Sequence, residues 1–396
     1  MGARTPVLFI NSPEFPGADT FIHVLAMRSL NRERFEVHVA CSEGPDGKPG
    51  PGSEVLEGIP DLIVRPTYFG PTLAGSSAKK KVRSALQGLK FAASMVQLAW
   101  YVRKHGIRII HSTDRPRDAV SCALVARLSG AKAVIHLHVV PDTWMRRSVR
   151  AAFGKADALI GVSKFVAQTI VDAGYKREKT HAVLNAIDFP KWHPERDGAA
   201  ARRDLGLPLE GPVVACIARL FVWKGQADLV RALPFLRAEF PGLKLLLAGA
   251  DDKLASDGGK SFTAELKELA GELGVSDHLV FTGFRSDVEG ILAASDVMIL
   301  TSPKEPFGLV FCEAMAMRKP VIGVDGGGAP EIIEQEKSGL LVPEKNPEAV
   351  AESLAKLLRD PALRARMGEY GRAQVEARFT PARMAKDLEA VYTALT

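Results

Sequence analysis

Short apolar runs alternate along the chain with longer segments whose apolar positions recur every three to four residues. In the first half the runs Val7–Asn11, Phe35–Cys41, Leu62–Arg65, Ile107–Ser112, Ala133–His138, Ala158–Ser163 and His181–Asn185 predict β-strands. Segments between them, such as TFIHVLAMRSL and AVSCALVARLSG, carry helical spacing. Strand–helix alternation of this kind implies a parallel sheet covered by helices on both faces. The pattern breaks at Phe189–Pro212, rich in Pro, Gly, Ala and charge, which reads as a linker with one short helix. It then resumes. VVACIA, LKLLLAG, LVFTG, VMILTS, PVIGVD and GLLVP predict strands, with helical segments ADLVRALPFLRAEF, FTAELKELAGEL, VEGILAAS, LVFCEAMAM and PEAVAESLAKLLRD. Two further helical segments, near Pro361–Arg378 and Pro381–Thr396, follow. The expected class is α/β, with two doubly wound domains flanking a cleft and ligands at the carboxyl ends of the strands.

A length of 396 residues suits two domains, and 46% hydrophobic with 25% charged residues is ordinary for a soluble globular protein. The net charge of +6 and pI near 9.1 suit an anionic partner without choosing among nucleotide, nucleic acid and membrane. Cys41, Cys122, Cys216 and Cys312 have neither zinc-ligand nor redox spacing, and read as reduced thiols of a cytosolic protein. The start, MGARTPVLFIN, shows no signal-peptide pattern, and Pro6 stands where a myristoylation motif needs Ser or Thr. The apolar run FAASMVQLAWYV is too short to span a bilayer and contains Gln97.

The stretch TSPKEPFGLVFCEAMA (Thr301–Ala316) carries the most specific chemistry. Glu305, biased to an extended conformation by Pro306, belongs in the loop after a buried strand, whereas Glu313 belongs about one turn into the next helix. Gly308 permits close backbone approach, and the amides of Phe307, Gly308 and Leu309 open a helix N-terminus suited to an anion. An acid towards each end of a central anion fits a nucleotide-sugar. Cations are supplied by VACIARLFVWKGQADLV, where Arg219 and Lys224 follow the first strand after the linker. No strand is followed by a Gly-x-Gly-x-x-Gly turn, which speaks against a dinucleotide enzyme. The segment DGGKS has Leu254 where a P-loop needs Gly, and no Asp-x-Asp triplet suggests a catalytic metal.

ARLFVWKG followed by EPFGLVFCE resembles the donor site of retaining glycosyltransferases of the GT-B fold, in glycosyltransferase family 4 (glycosyl transferases group 1). Ala218 replaces a usual Gly, and the Glu-x7-Glu spacing is met by Glu305 and Glu313. VDGGGAPEII, SGLLVP, ADALIGVSKFVAQTI and VLNAIDFPKWHP are also similar to the family, with Ala186 where Gly is frequent. PGADTFIHVLAMRSL resembles its Gly-Gly-Ala-Glu helix start, with Pro16 for the first Gly and Asp19 for Glu.

The resemblance implies two Rossmann-like domains: an acceptor-binding domain over 1–190, a linker over 191–211, and a nucleotide-sugar-binding domain over 212–380. A last helix over 381–396 would cross back to the first domain, and the domains would close around the linker. By the same resemblance Arg219 and Lys224 hold the donor diphosphate, Glu313 the ribose and Glu305 the sugar hydroxyls. Phe307, Gly308 and Leu309 contribute amides, Gly283 and Arg285 lie near the nucleobase, and Gly17 passes close to the phosphate. His138 faces the transferring sugar, with catalysis shared among His138, Glu305, Arg219 and Lys224. Asp19 and His136 are acceptor-side candidates. The implied reaction is metal-independent, cofactor-free transfer of a sugar to a hydroxyl acceptor with retained configuration. A lipid-linked or cell-envelope glycan precursor and a small soluble acceptor are both open, and a nucleotide-sugar epimerase or phosphorylase on the same fold is the alternative. Lys79, Lys80, Lys81, Arg83 and Lys90 ahead of an amphipathic helix suggest a cytoplasmic protein peripheral on an anionic membrane, as do Trp144, Met145, Arg146, Arg147 and Arg150. No nucleic-acid partner is expected.

Overall fold

Two parallel sheets organise the chain. The computed structural model describes residues 4–13, 15, 17–44, 46–70, 79–142, 144–251 and 261–396, without the side chains of residues 79–85. Pro16, Asp252, the glycines of DGGKS and the side chains of Lys79, Lys80, Lys81 and Arg83 lie outside the described residues. The first unit comprises Met1–Ala186 with Pro381–Thr396, and the second Ile187–Thr380.

In the first unit seven strands, β1 (Thr5–Asn11), β2 (Phe35–Ser42), β3 (Ile63–Thr67), β4 (Ile109–Thr113), β5 (Lys132–Leu137), β6 (Ala158–Gly161) and β7 (Thr180–Ala182), line up in the order β3-β2-β1-β4-β5-β6-β7. All pairings are parallel, with Val7 opposite both Val37 and Ile109. Val7, Leu8, Phe9 and Ile10 are each 0% exposed, because helices cover both faces; a strand so placed reads as a continuous apolar run. Chain order reverses between β1 and β4, so the carboxyl ends of those strands, Asn11 and Thr113, border a crevice of the kind that receives ligands. The helix Pro381–Leu395 completes this unit against the helix Ala18–Ser29, with Tyr392 fully buried.

The second unit repeats the plan. Its six strands are β8 (Val213–Ile217), β9 (Lys244–Ala248), β10 (Leu279–Gly283), β11 (Val297–Leu300), β12 (Val321–Val324) and β13 (Gly339–Val342). They run β10-β9-β8-β11-β12-β13, again all parallel, with the reversal between β8 and β11. Arg219 follows β8, and Thr301–Glu305 follows β11.

The stretch Phe189–Pro212, loop-like in composition, folds onto this unit. Asp197 caps the helix Gly198–Asp204 by accepting from the amides of Ala199 and Ala200. Two of its arginines are paired with acids: Arg196 meets Asp287 at 2.7 Å and Glu289 at 3.1 Å, and Arg202 meets Asp296 at 3.0 Å. Those partners are about ninety residues away, so local composition could not reveal them.

Candidate functional site

In the second unit the loops after β8 and β11 are knitted together by backbone. Gly225 has φ of 76°, and a Cβ there would stand 2.3 Å from the Thr301 carbonyl oxygen. Thr301 Oγ1 donates to the Gly225 carbonyl at 2.9 Å, and the buried Gln226 amide donates to the Arg219 carbonyl at 2.9 Å. These contacts fix the register of the two loops. They set Lys224 Nζ 2.7 Å from Glu305 Oε2, both side chains being only 13% and 12% exposed. The same ammonium lies 4.2 Å from the centre of the Trp223 ring. Arg219 is exposed beside them.

Glu305 is held from behind. Gly327, at φ of 61°, would place a Cβ 2.7 Å from the Glu305 carbonyl oxygen, and the Gly328 amide donates to that oxygen at 2.7 Å. The glycines of VDGGGAPEII therefore let one backbone lie flat against another. Gly308, at φ of 93°, caps the helix Leu309–Ala316, and a Cβ there would meet the Phe311 ring at 2.5 Å. The amides of Leu309 and Val310 head this helix without intrahelical acceptors, next to the Lys224–Glu305 pair. Phe307 is 2% exposed, its ring edge-on to Phe379, so only its backbone is available to a ligand.

Glu313 lies partly buried on the helix. Burial pushes its pKa up to about 7, against the opposing pull of Lys191. Gly283 closes β10 at φ of 66°, its carbonyl accepting from the Gly249 amide at 3.0 Å. Phe284 beside it is 78% exposed, and Arg285 Nε is buried without a hydrogen-bond partner among the described residues. The structure thus brings Arg219, Lys224, Glu305 and the amides from Phe307 to Leu309 to the carboxyl ends of β8 and β11. Gly283 and Arg285 sit at the end of β10. Thr301, Gly225 and Gln226 are the supporting residues that sequence reasoning missed; the signal was only a small, a flexible and a polar residue bordering apolar runs.

In the first unit Gly17 caps the helix Ala18–Ser29. A Cβ on Gly17 would meet Asp19 Oδ1 at 2.8 Å and Arg115 Nη2 at 3.0 Å, the ends of two side chains that pair with each other. The Asp19 carboxylate is committed to Arg115, whose Nη2 donates to Oδ1 at 2.6 Å. The pair joins the start of this helix to the segment after β4. His138 lies just past β5, where its backbone N–H and that of Val139 both donate to Asp114 Oδ2 at 3.1 Å. Asp114 is 4% exposed, and burial raises its pKa to about 7. A polar residue directly after β4 was the available sequence signal for it. His136 is corrected as an acceptor candidate: it is 1% exposed, packed among His23, His111 and His138 inside the unit. Met145 is likewise buried, at 6%, which removes it from the expected apolar surface, whereas Trp144 is half-buried, its indole N–H donating to the Val140 carbonyl.

Residues 197–374 match the family described as glycosyl transferases group 1, and residues 17–190 match Glycosyltransferase Family 4. The chain belongs to glycosyltransferase family 4. Among the curated relatives of this family 4 protein is spore coat protein SA of Bacillus subtilis, 32% identical over 310 residues, covering 74% of this chain and 79% of the relative. Another is the GDP-mannose-dependent alpha-(1-6)-phosphatidylinositol monomannoside mannosyltransferase of Mycobacterium tuberculosis, 31% identical over 269 residues, covering 64% of this chain and 68% of the relative. Among solved structures, Anabaena HepE in complex with UDP and glucose superimposes with a TM-score of 0.78 at 23% identity, covering 98% of this chain and 99% of HepE. WaaG, a glycosyltransferase involved in lipopolysaccharide biosynthesis, gives 0.67 at 16% identity, covering 97% and 99%. Both likenesses establish the GT-B fold, and the family 4 assignment makes the protein a glycosyltransferase.

Proposed function

We propose that this glycosyltransferase moves a sugar from a nucleoside-diphosphate-sugar to a hydroxyl acceptor with retention at the anomeric carbon. The observation that carries this reading is the Lys224–Glu305 pair beside the N-terminus of the helix Leu309–Ala316. A diphosphate arriving at that N-terminus gives Lys224 an anionic partner and brings phosphate oxygens within the range of Arg219. Charge building on the leaving β-phosphate is met by two cations and by peptide dipoles that need no rearrangement. Glu305 accepts from sugar hydroxyls, Glu313 from the ribose, and the Gly283–Arg285 segment borders the base. His138 hydrogen-bonds the transferring sugar, while the leaving phosphate takes the acceptor proton on the same face. The transfer uses no catalytic metal and no resident cofactor.

Thermal-shift screening against UDP-, GDP- and ADP-sugars tests the donor. A donor at a hundredfold excess over its Kd stabilises the folded state by about 2.7 kcal/mol, a shift of several degrees. No shift with any nucleotide-sugar refutes the reading. Proton NMR of the product then reads the anomeric configuration directly.

The acceptor in this reading is a lipid-linked or cell-envelope glycan precursor, met by a protein lying peripherally on the cytoplasmic face of an anionic membrane. A mycobacterial relative is named for a phosphatidylinositol mannoside acceptor, and the helix Lys79–Lys104 has the matching surface. Met95, Leu98, Ala99 and Val102 point inward, while Leu86, Leu89, Val96 and Trp100 are 59–69% exposed along one stripe. Seven Lys or Arg and no acid occur in its 26 residues. Among the described residues no helix is long and apolar enough to cross a membrane. Leu89→Glu combined with Trp100→Glu is expected to lower co-sedimentation with phosphatidylglycerol vesicles about tenfold or more. Unchanged sedimentation refutes the membrane role.

A further inference from the structure

Four imidazoles from three elements meet in the interior of the first unit. His23 comes from the helix Ala18–Ser29, His111 from β4, His136 from β5, and His138 from the residue after β5. The His23 and His111 ring centres are 4.8 Å apart, His111 and His136 5.4 Å, and His23 and His136 5.7 Å. His23, His111 and His136 are 1%, 0% and 1% exposed. Interiors rarely tolerate such a set, because each buried ring nitrogen left without a partner forfeits the hydrogen bond it made in water. Yet both nitrogens of His23, and Nε2 of His111, His136 and His138, are buried without a hydrogen-bond partner among the described residues.

The geometry points to a binding site for one divalent transition-metal ion of the zinc class, held by His23, His111 Nε2 and His136 Nε2, with the fourth position turned towards His138. One potential ligand nitrogen from each of the three histidines lies within 4.8 Å of the others. Metal–nitrogen bonds of ~2.0–2.1 Å place ligand nitrogens roughly 3.4 Å apart, so side-chain rotations with little backbone movement close the site. An outer partner is also present. His111 Nδ1 is 2.6 Å from the buried Tyr392 hydroxyl, which fixes the ring and leaves Nε2 to face the cluster. All-imidazole donors suit Zn(II), Ni(II) and Cu(II) rather than Mg(II) or Ca(II). The ion would tie β4 and β5 to the first helix through His23, His111 and His136, none of which the proposed transfer uses, so this inference stands whether or not that reaction does.

The test uses full-length protein without a histidine tag, stripped with a chelator. Zn(II) calorimetry is expected to show one site per chain with submicromolar affinity, and Zn(II) to raise the melting temperature by about 5 °C or more. Co(II) is expected to give visible d–d absorption, and X-ray absorption of the wild-type Zn(II) form an imidazole shell. His23→Gln and His136→Gln are expected to weaken binding at least a hundredfold, and Tyr392→Phe about tenfold. The exposed-histidine control His193→Gln leaves binding unchanged. Because a ligand variant could fail to fold, the wild-type measurements decide by themselves. No stoichiometric binding at micromolar Zn(II), or an oxygen-only shell, overturns the site, as does binding in folded His136→Gln that equals wild type.

Discussion

Lys224→Ala is expected to lower kcat by about 10²–10³, the range for removing a preorganised partner of developing oxyanion charge. It is expected to cost stability as well. The Glu305 side chain is 12% exposed and takes its cation from Lys224, so the single variant leaves a mostly buried carboxylate alone. Breaking such a pair costs about 3 kcal/mol. Lys224→Ala combined with Glu305→Gln removes the stranded charge, and is expected to recover most of the melting temperature while kcat stays low. Denaturation curves and steady-state rates on the two variants separate the roles. Near-normal kcat in the folded double variant would remove Lys224 from the chemistry.

Glu313→Gln is expected to weaken donor binding about 10–100-fold above pH 7 and to make the remaining affinity insensitive to pH. Burial raises the Glu313 pKa to about 7 from the ordinary 4.5. A carboxyl raised on folding binds its proton more tightly in the folded state, so its contribution to stability is most favourable below about 4.5 and is lost as pH rises towards 7. Wild type therefore carries a penalty above pH 7 that the glutamine variant lacks. The variant is expected to melt a few degrees higher at pH 8, with the gap closing at acid pH. The donor responds in the opposite sense, because ribose hydroxyls need the ionised carboxylate as acceptor. Wild-type Kd is expected to rise up to about fivefold from pH 7 to 6. Isothermal titration with a nucleoside diphosphate across that range checks the sign. A flat wild-type profile would show that Glu313 does not meet the ribose.

Both sheets were legible because their central strands are buried on two faces, and continuous apolar runs such as Val7–Ile10 have few other readings. Strand ends were less legible. Ile107, read into a strand, instead bonds its amide to the Val102 carbonyl at the end of a helix, so β4 starts at Ile109. Periodicity cannot distinguish an apolar residue that closes a helix from one that opens a strand.

On its own the sequence determined the α/β class, the break near Phe189 and the acids Glu305 and Glu313 on a loop and the following helix, because burial pattern and local spacing are written in consecutive residues. Tertiary structure alone decided that Lys224 meets Glu305, that Thr301 and Gly225 lock their loops, that Asp19 belongs to Arg115, and that His136 meets His23 and His111. Each of these joins residues from different strands or helices of a parallel sheet. Such partners are set by strand order and register, and no local window of the chain contains both members of the contact.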